Sequence, residues 1–152
     1  MRRTEKEIQN KEEIIEVLEK GQICRLGLCE NNIPYIVPMN YGYSNGCLFF
    51  HSAKSGRKIE FIKNNNQVCF EIEVDTEITK GKRACDWGMK FKTVIGFGKL
   101  NEVIDFAEKK KGLSVIMRQY SGNDEWSFPN NSINKVLVSK MKIEHMTGKK
   151  SI

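Results

Sequence analysis

Residues 33–58 read IPYIVPMNYGYSNGCLFFHSAKSGRK and contain two extended segments with a turn between them. The Asn45-Gly46 step is the strongest short signal for a β-hairpin, because both residues tolerate the positive φ angles of a tight turn. Pro34 and Pro38 have no N–H to donate to a sheet, so their strand is expected at a sheet edge or in an interrupted pairing. The stretch therefore predicts antiparallel strands, one of them with backbone groups free for a ligand.

The rest of the chain continues this pattern on both sides. Apolar residues alternate with polar ones in further predicted strands over residues 22–29, 68–75, 91–104 and 135–143. Helical spacing predicts helices over 5–20, 57–64 and 105–120, and residues 121–132 are interpreted as a polar loop. About six short strands joined mostly by turns favour a mainly β fold, an antiparallel barrel with flanking helices, over a parallel α/β sheet.

Length and composition limit the class of protein. A chain of 152 residues fits one domain, here residues 1–152, and 39% hydrophobic with 29% charged residues is typical of globular proteins. No apolar run reaches the roughly 20 residues that a membrane-spanning helix needs. The first residues are charged and lack the apolar centre of a secretory signal, so a cytoplasmic location is expected. The net charge of +6 favours an anionic partner without identifying it.

Several kinds of chemistry find no support in the sequence. The five cysteines form no C-x-x-C pair, so we expect no metal site, and their odd number indicates reduced thiols rather than a disulfide framework. Neither His51 nor His145 belongs to a recognisable catalytic set, and the G-x-S-x-G motif of many hydrolases is missing. Gly96 and Gly98 do not form a dinucleotide fingerprint, because no glycine-rich turn leads from them into a helix.

The segment from His51 to Lys58 has the features of a phosphate-binding loop. It leads from a strand end through small residues into a helix start, where backbone N–H groups are unpaired and partly positive. Ser52 and Ser55 add hydroxyl donors, and Arg57 with Lys58 adds full positive charges. The other interpretation is a solvated basic loop with a surface histidine, and the residue pattern alone leaves both open.

A second segment, Val37 to Tyr41, is unusual for a buried strand. Pro38 could simply mark a sheet edge. Exposed main-chain groups beside the Asn40 amide could also meet the hydrogen-bonding rim of a planar heterocycle.

Taken in order, these motifs resemble one family. Residues 34–43 (PYIVPMNYGY), His51-Ser52-Ala53 with Gly56-Arg57-Lys58, and residues 94–99 (VIGFGK) are similar to the pyridoxamine 5′-phosphate oxidase-like flavoproteins, and more narrowly to their nitroimidazole resistance (5-nitroimidazole reductase) branch. The resemblance covers nearly the whole chain. It implies a split β-barrel homodimer that binds FMN at each subunit interface.

The resemblance also implies roles for individual residues. Arg57 and Lys58 match the basic pair that binds the FMN phosphate, with Ser52 and Ala53 in the loop before it. The strand Val37, Pro38, Met39, Asn40 and Tyr41 matches the one whose main chain lines the isoalloxazine ring. Thr93 matches a polar contact position, although Lys92-Thr93 replaces the Arg-Ser usual in that branch. His51 matches a histidine beside the flavin and is the candidate catalytic residue.

Three functions follow as hypotheses. The leading one is an FMN-dependent oxidoreductase that reduces a small acceptor such as a nitroimidazole or another nitroaromatic compound. The second is a flavin-binding module without turnover. The third is nucleic-acid binding, suggested by the net charge, but 19 acidic residues interrupt any basic stripe, so no nucleic-acid partner is expected. Trp87 could cover the flavin from the partner subunit or pack in the interface.

Overall fold

The computed structural model describes residues 3–123 and 125–152, so residues 1, 2 and 124 of the predicted domain lie outside the described residues. Eight strands are present: β1 (Glu7–Ile8), β2 (Cys24–Glu30), β3 (Ile33–Met39), β4 (Gly42–Ser44), β5 (Cys47–Ser52), β6 (Gln67–Thr79), β7 (Gly88–Glu102) and β8 (Leu137–Ser151). The α-helices are α1 (Lys11–Lys20), α2 (Arg57–Asn64), α3 (Phe106–Ser121) and α4 (Asn130–Lys135).

All strands belong to one antiparallel sheet in the order β3-β2-β6-β7-β8-β5-β4, with β1 also paired to β8. The two edge strands, β3 and β4, are separated in the chain by only Asn40 and Tyr41, so the sheet has to curl back on itself. Leu26 of β2, Phe70 of β6 and Leu48 of β5 accordingly share one buried cluster. The fold is the predicted split β-barrel.

The predicted number of six strands is wrong, because the described residues form eight. The extended run 33–43 breaks into β3 and β4 where Tyr41 turns into the core and becomes fully buried. β1 was missed because its two residues lie inside the predicted helix 5–20. That helix begins only at Lys11, where the Asn10 side chain accepts hydrogen bonds from two first-turn N–H groups.

The predicted hairpin and edge strand are confirmed. Asn45 and Gly46 have φ angles of 49° and 74°, as a tight hairpin turn requires, and they join β4 to β5. The proline-containing strand β3 pairs only with β2 and forms one edge of the sheet.

The predicted helices over 57–64 and 105–120 are confirmed as α2 and α3, and the Asp105 side chain caps α3. The loop predicted over 121–132 is wrong at its end. Asn130 begins α4, and this short helix forms because Ile133 is fully buried beneath it.

The apolar face of β7 is the least expected feature of the sheet. Val94, Gly96, Gly98 and Leu100 face the core, and Ile95 and Phe97 point outward with 43% and 50% of their surface exposed. Gly96 faces inward against the ring of Phe70, where a Cβ atom would lie 2.4 Å from the ring, so a larger residue would not fit. The alternation of the strand leaves two large apolar side chains on the outer face.

None of the described helices is both long and apolar enough to cross a membrane.

Candidate functional site

The basic loop and helix start lie where the sequence predicts them. Residues 53–56 are exposed and connect β5 to α2, and the Gly56 carbonyl accepts the N–H groups of Ile59 and Glu60 at 2.9 and 3.2 Å. The N–H groups of Arg57 and Lys58 precede these first helical bonds and have no acceptor within the helix. Ser52 borders the loop, and its hydroxyl donates to the Ala53 carbonyl at 2.9 Å.

Arg57 and Lys58 are held in place by uncharged partners. The Arg57 guanidinium carbon lies 4.7 Å from the centre of the Tyr35 ring, and the Lys58 ammonium lies 3.5 Å from the Met39 sulfur. Within residues 3–123 and 125–152, neither cation forms an ion pair with a carboxylate. Two adjacent positive charges without a counter-ion at a helix start fit a phosphate monoester.

The same two contacts bring α2 against the edge strand β3, so the two sequence segments predicted to bind one ligand do lie side by side. On β3, Val37 and Met39 are partly buried against the core, while Pro38 and the following Asn40 are exposed. Proline in an edge strand normally turns its nitrogen toward solvent. By that rule the Pro38 carbonyl also faces the open edge, where it can accept a hydrogen bond.

Two atoms of Tyr41 donate hydrogen bonds to other segments of the protein. Its hydroxyl donates to the Leu18 carbonyl at 2.6 Å, and its N–H donates to the Tyr120 hydroxyl at 2.9 Å. Burial raises the pKa of Tyr41, so this phenol stays protonated. Tyr41 thus anchors the end of the segment 37–41.

Two residues of α3 that were not predicted as site residues hold this segment in place. Gln119 accepts the N–H of Tyr43 at 3.2 Å and donates to carbonyls at the end of α1, including that of Gly21 at 2.9 Å. Tyr120 accepts from Tyr41 and donates to the Gln22 carbonyl at 2.8 Å. In the sequence, Tyr120 lies at helical spacing within the predicted helix 105–120. That spacing predicts an apolar helix face and not a residue that forms hydrogen bonds to other segments.

His51 occupies the end of β5, immediately before the basic loop. Its side chain is exposed to solvent on one side. Desolvation by the surrounding protein, and then the positive charge of Lys58, lower its pKa below the usual 6.5. The imidazole is therefore neutral at pH 7, with one ring nitrogen as donor and the other as acceptor.

Thr93 lies on β7, three strands from β3 in the sheet. Its hydroxyl is 2.7 Å from a carboxylate oxygen of Glu71. The next residue, Val94, pairs with Ile72, which pairs with Cys24, and Cys24 pairs with Met39. Thr93 is therefore near the level of Met39, the residue that Lys58 contacts. Trp87 is half-exposed just before β7.

The outer face of the sheet carries a line of apolar surface near Thr93. Gly27 of β2 pairs with Ile36 of β3 and with Cys69 of β6, and Cys69 pairs with Phe97 of β7. Ile36 is 69% exposed, and Gly27 has no side chain, which leaves a groove between its neighbours. Apolar surface continuous over several strands is typical of a protein–protein contact.

A curled antiparallel sheet with an exposed basic loop at one strand end defines a split-barrel protein. The chain belongs to the pyridoxamine 5′-phosphate oxidase family, whose sequence profile matches residues 10–150.

Solved structures place it more finely. A candidate 5-nitroimidazole antibiotic resistance protein from Bacteroides thetaiotaomicron is 31% identical, with a TM-score of 0.84 over 95% of this chain and 86% of that one. A flavocytochrome from Azotobacter vinelandii (TM-score 0.85, 15% identity, 100% of this chain and 72% of that one) shares the fold. An FAD-binding protein from Mesorhizobium loti also shares the fold, with a TM-score of 0.69 and 24% identity over 94% of this chain and 96% of that one.

Among curated proteins, an uncharacterized protein of Rhizobium meliloti is 34% identical over 65 residues. The match spans 43% of this chain and 42% of that protein.

Proposed function

We propose that this protein is an FMN-dependent oxidoreductase that reduces a small nitroaromatic acceptor such as a 5-nitroimidazole. The observation that carries the proposal is the pair of cations at the start of α2, Arg57 and Lys58, which have no carboxylate partner in the described chain and lie against the edge strand β3. Similarity to a candidate 5-nitroimidazole resistance protein at 31% identity supports the acceptor class.

The residues at the loop fit the parts of FMN. Arg57 and Lys58, with the free N–H groups of the first helical turn, would hold the phosphate, and the Ser52 hydroxyl would donate to it by turning away from the Ala53 carbonyl. Main-chain groups of Val37 to Tyr41 would hydrogen-bond the rim of the ring. When bound, FMN supplies the transfer of reducing equivalents that protein side chains lack. The neutral His51 ring can donate or accept a proton beside the acceptor without adding charge there.

A homodimer would complete this site, and we propose it as the functional state. The resemblance implies that Thr93 contacts the flavin, and in the dimer Thr93 of the second copy would take this position. The apolar line Ile36–Cys69–Phe97 lies on the same outer face of the sheet as Thr93 and leaves surface for that copy to cover.

The test starts from FMN affinity. Titration of FMN-free protein with FMN, followed by flavin fluorescence, should give a Kd that rises about 10- to 100-fold in Lys58→Ala, the scale of one charge-assisted hydrogen bond. Lys63→Ala removes the same charge from an exposed position in the last turn of α2 and should leave the Kd unchanged. Equal affinities in the two variants would refute the assigned phosphate site.

Turnover is tested separately. Protein loaded with FMN and reduced anaerobically with dithionite should be reoxidised by 2-methyl-5-nitroimidazole, seen as the return of the oxidised flavin absorbance. Tight FMN binding with a reduced flavin that ignores this compound would instead identify a flavin-binding module without turnover.

A further inference from the structure

A small cavity lies beside His51, outside the loop and strand described above. It is partly open to solvent and lies between the end of β5, the middle of α3 and the α4 region, and its volume is about 220 Å³. Its lining residues are His51, Leu113, Ile116, Met117, Phe128, Ser132, Ile133 and Val136.

The walls of the cavity are apolar and its floor is rigid. Ile133 is fully buried and Ile116 is 4% exposed, so both are fixed in the protein core. Phe128 is partly buried and offers a ring face or edge for stacking. The thioether of Met117 adapts its shape to the ligand and interacts well with aromatic rings.

Polar groups in the lining are few. His51 and Ser132 are the polar side chains among the eight lining residues, and none of the eight carries a permanent charge. A charged ligand would lose its hydration there without gaining a partner, which is costly. A hydroxyl and an imidazole can each hydrogen-bond a nitro or carbonyl oxygen.

The size of the cavity restricts the ligand further. Pockets for drug-sized ligands occupy roughly 300–1,000 Å³. At about 220 Å³ this cavity is smaller and suits a single ring with short substituents.

The cavity is also next to the basic loop. His51 lines it, and Ser52 follows in the chain at the border of the loop. The positive charge of Lys58 acts on the His51 ring, so the two sites are within electrostatic reach of each other. A ligand in the cavity would therefore lie beside whatever the loop binds.

We propose that this cavity is the acceptor subsite, which takes a single uncharged aromatic or heteroaromatic ring with a polar substituent directed to His51 and Ser132. The inference rests on the proposed function, since an acceptor needs a site next to the flavin. It goes further in naming α3 and α4 as the elements that select the acceptor.

The test measures ligand binding directly, by isothermal titration calorimetry on FMN-loaded and FMN-free protein with 2-methyl-5-nitroimidazole as the probe. Leu113→Trp fills the cavity and should raise the Kd at least about tenfold, whereas Leu113→Met keeps the volume and should change it less than about threefold. Phe128→Ala, a change in a connecting segment, should also weaken the probe about tenfold through the lost ring contact. If both Leu113 variants are folded by circular dichroism, equal Kd values in Leu113→Trp and Leu113→Met would overturn the proposal. If Leu113→Trp does not fold, an unchanged Kd in Phe128→Ala would overturn it.

A matched pair of probes tests the charge argument. Benzyl alcohol and benzylammonium have nearly the same shape, and the first should bind at least about tenfold more tightly because only the second carries a charge into the apolar walls. Equal binding would contradict the assignment. FMN titration of each variant separates the two proposals: if FMN binds normally and the Leu113 variants bind the probe alike, the acceptor subsite is refuted while the flavin site stands.

Discussion

Phe97→Ser should dissociate the proposed dimer without harming the fold of the protomer. Phe97 is 50% exposed on the outer face of β7, so its removal leaves the inner core unchanged. A phenylalanine buries about 200 Å² when fully covered, so covering the exposed half removes ~100 Å² from water. At ~25 cal/mol per Å² this is about 2.5 kcal/mol per protomer, and about 5 kcal/mol per dimer because a two-fold interface uses the patch twice. The dimer Kd should therefore rise by roughly 10³- to 10⁴-fold.

Sedimentation velocity over a dilution series measures this change. Ile104→Ser is the matched control, because Ile104 is even more exposed, at 78%, but lies beyond the end of β7 and away from the outer-face line. FMN affinity should fall together with dimerisation in Phe97→Ser, because Thr93 of the second copy would be lost from the site. A Phe97→Ser protein that dimerises as well as the Ile104→Ser control would refute the interface, and one that becomes monomeric yet binds FMN normally would refute the contribution of the second copy to the site.

Three further outcomes follow from the structure. Tyr41→Phe removes one of two side-chain donors to the Leu18 carbonyl, the other being Gln119 at 3.0 Å, and should lower the free energy of unfolding by about 0.5–1.5 kcal/mol in urea titrations. Gly96→Ala forces a methyl group against an aromatic ring of β6 and should cost about 1–3 kcal/mol, whereas Gly88→Ala, whose Cβ meets nothing closer than 4.0 Å, should unfold at nearly the wild-type urea concentration. The pKa of His51 is lower in the folded protein than its unfolded value of 6.5, so the unfolded state binds the proton more readily. The free energy of unfolding is therefore unaffected by this group above pH 6.5 and decreases as the pH falls from 6.5 through the folded pKa. Melting curves below pH 6.5 should show a steeper loss for wild type than for His51→Gln, and parallel curves would contradict the shift.

Local chemistry made part of the fold predictable. The Asn45-Gly46 turn needs φ angles that few other residue pairs tolerate, so its hairpin could be read from two residues. The start of α2 was equally clear, because a small-residue loop runs directly into helical spacing. Both features depend on neighbours in the sequence, and both are as predicted.

Other features depend on contacts between distant segments and could not be predicted in that way. The outward face of Ile95 and Phe97 is decided by Gly96, whose lack of a side chain admits the Phe70 ring from β6. The division of β3 from β4 depends on Tyr41 reaching a carbonyl at the end of α1. In each case a tertiary contact outweighs the local pattern of apolar residues.

The candidate site shows the same division. The basic loop and strand β3 were predicted as one site and do lie together, since Arg57 contacts Tyr35 and Lys58 contacts Met39. Thr93 was assigned to that site from motif resemblance, and this assignment stays a prediction; β7 is three strands from β3 in the sheet. Strand order is fixed by pairing across the whole sheet, which a motif does not encode.

Helix α3 contacts two regions of the protein, the cavity beside His51 and the connection between β3 and β4. Its middle turns, at Leu113 and Met117, form a wall of the cavity, while Gln119 and Tyr120 near its end grip the chain where β3 passes into β4. Engineers who enlarge the cavity by repacking this helix will therefore also disturb the backbone that borders the proposed cofactor. Replacing Phe128 avoids this coupling, because it lies off the helix and reshapes the pocket from its far side.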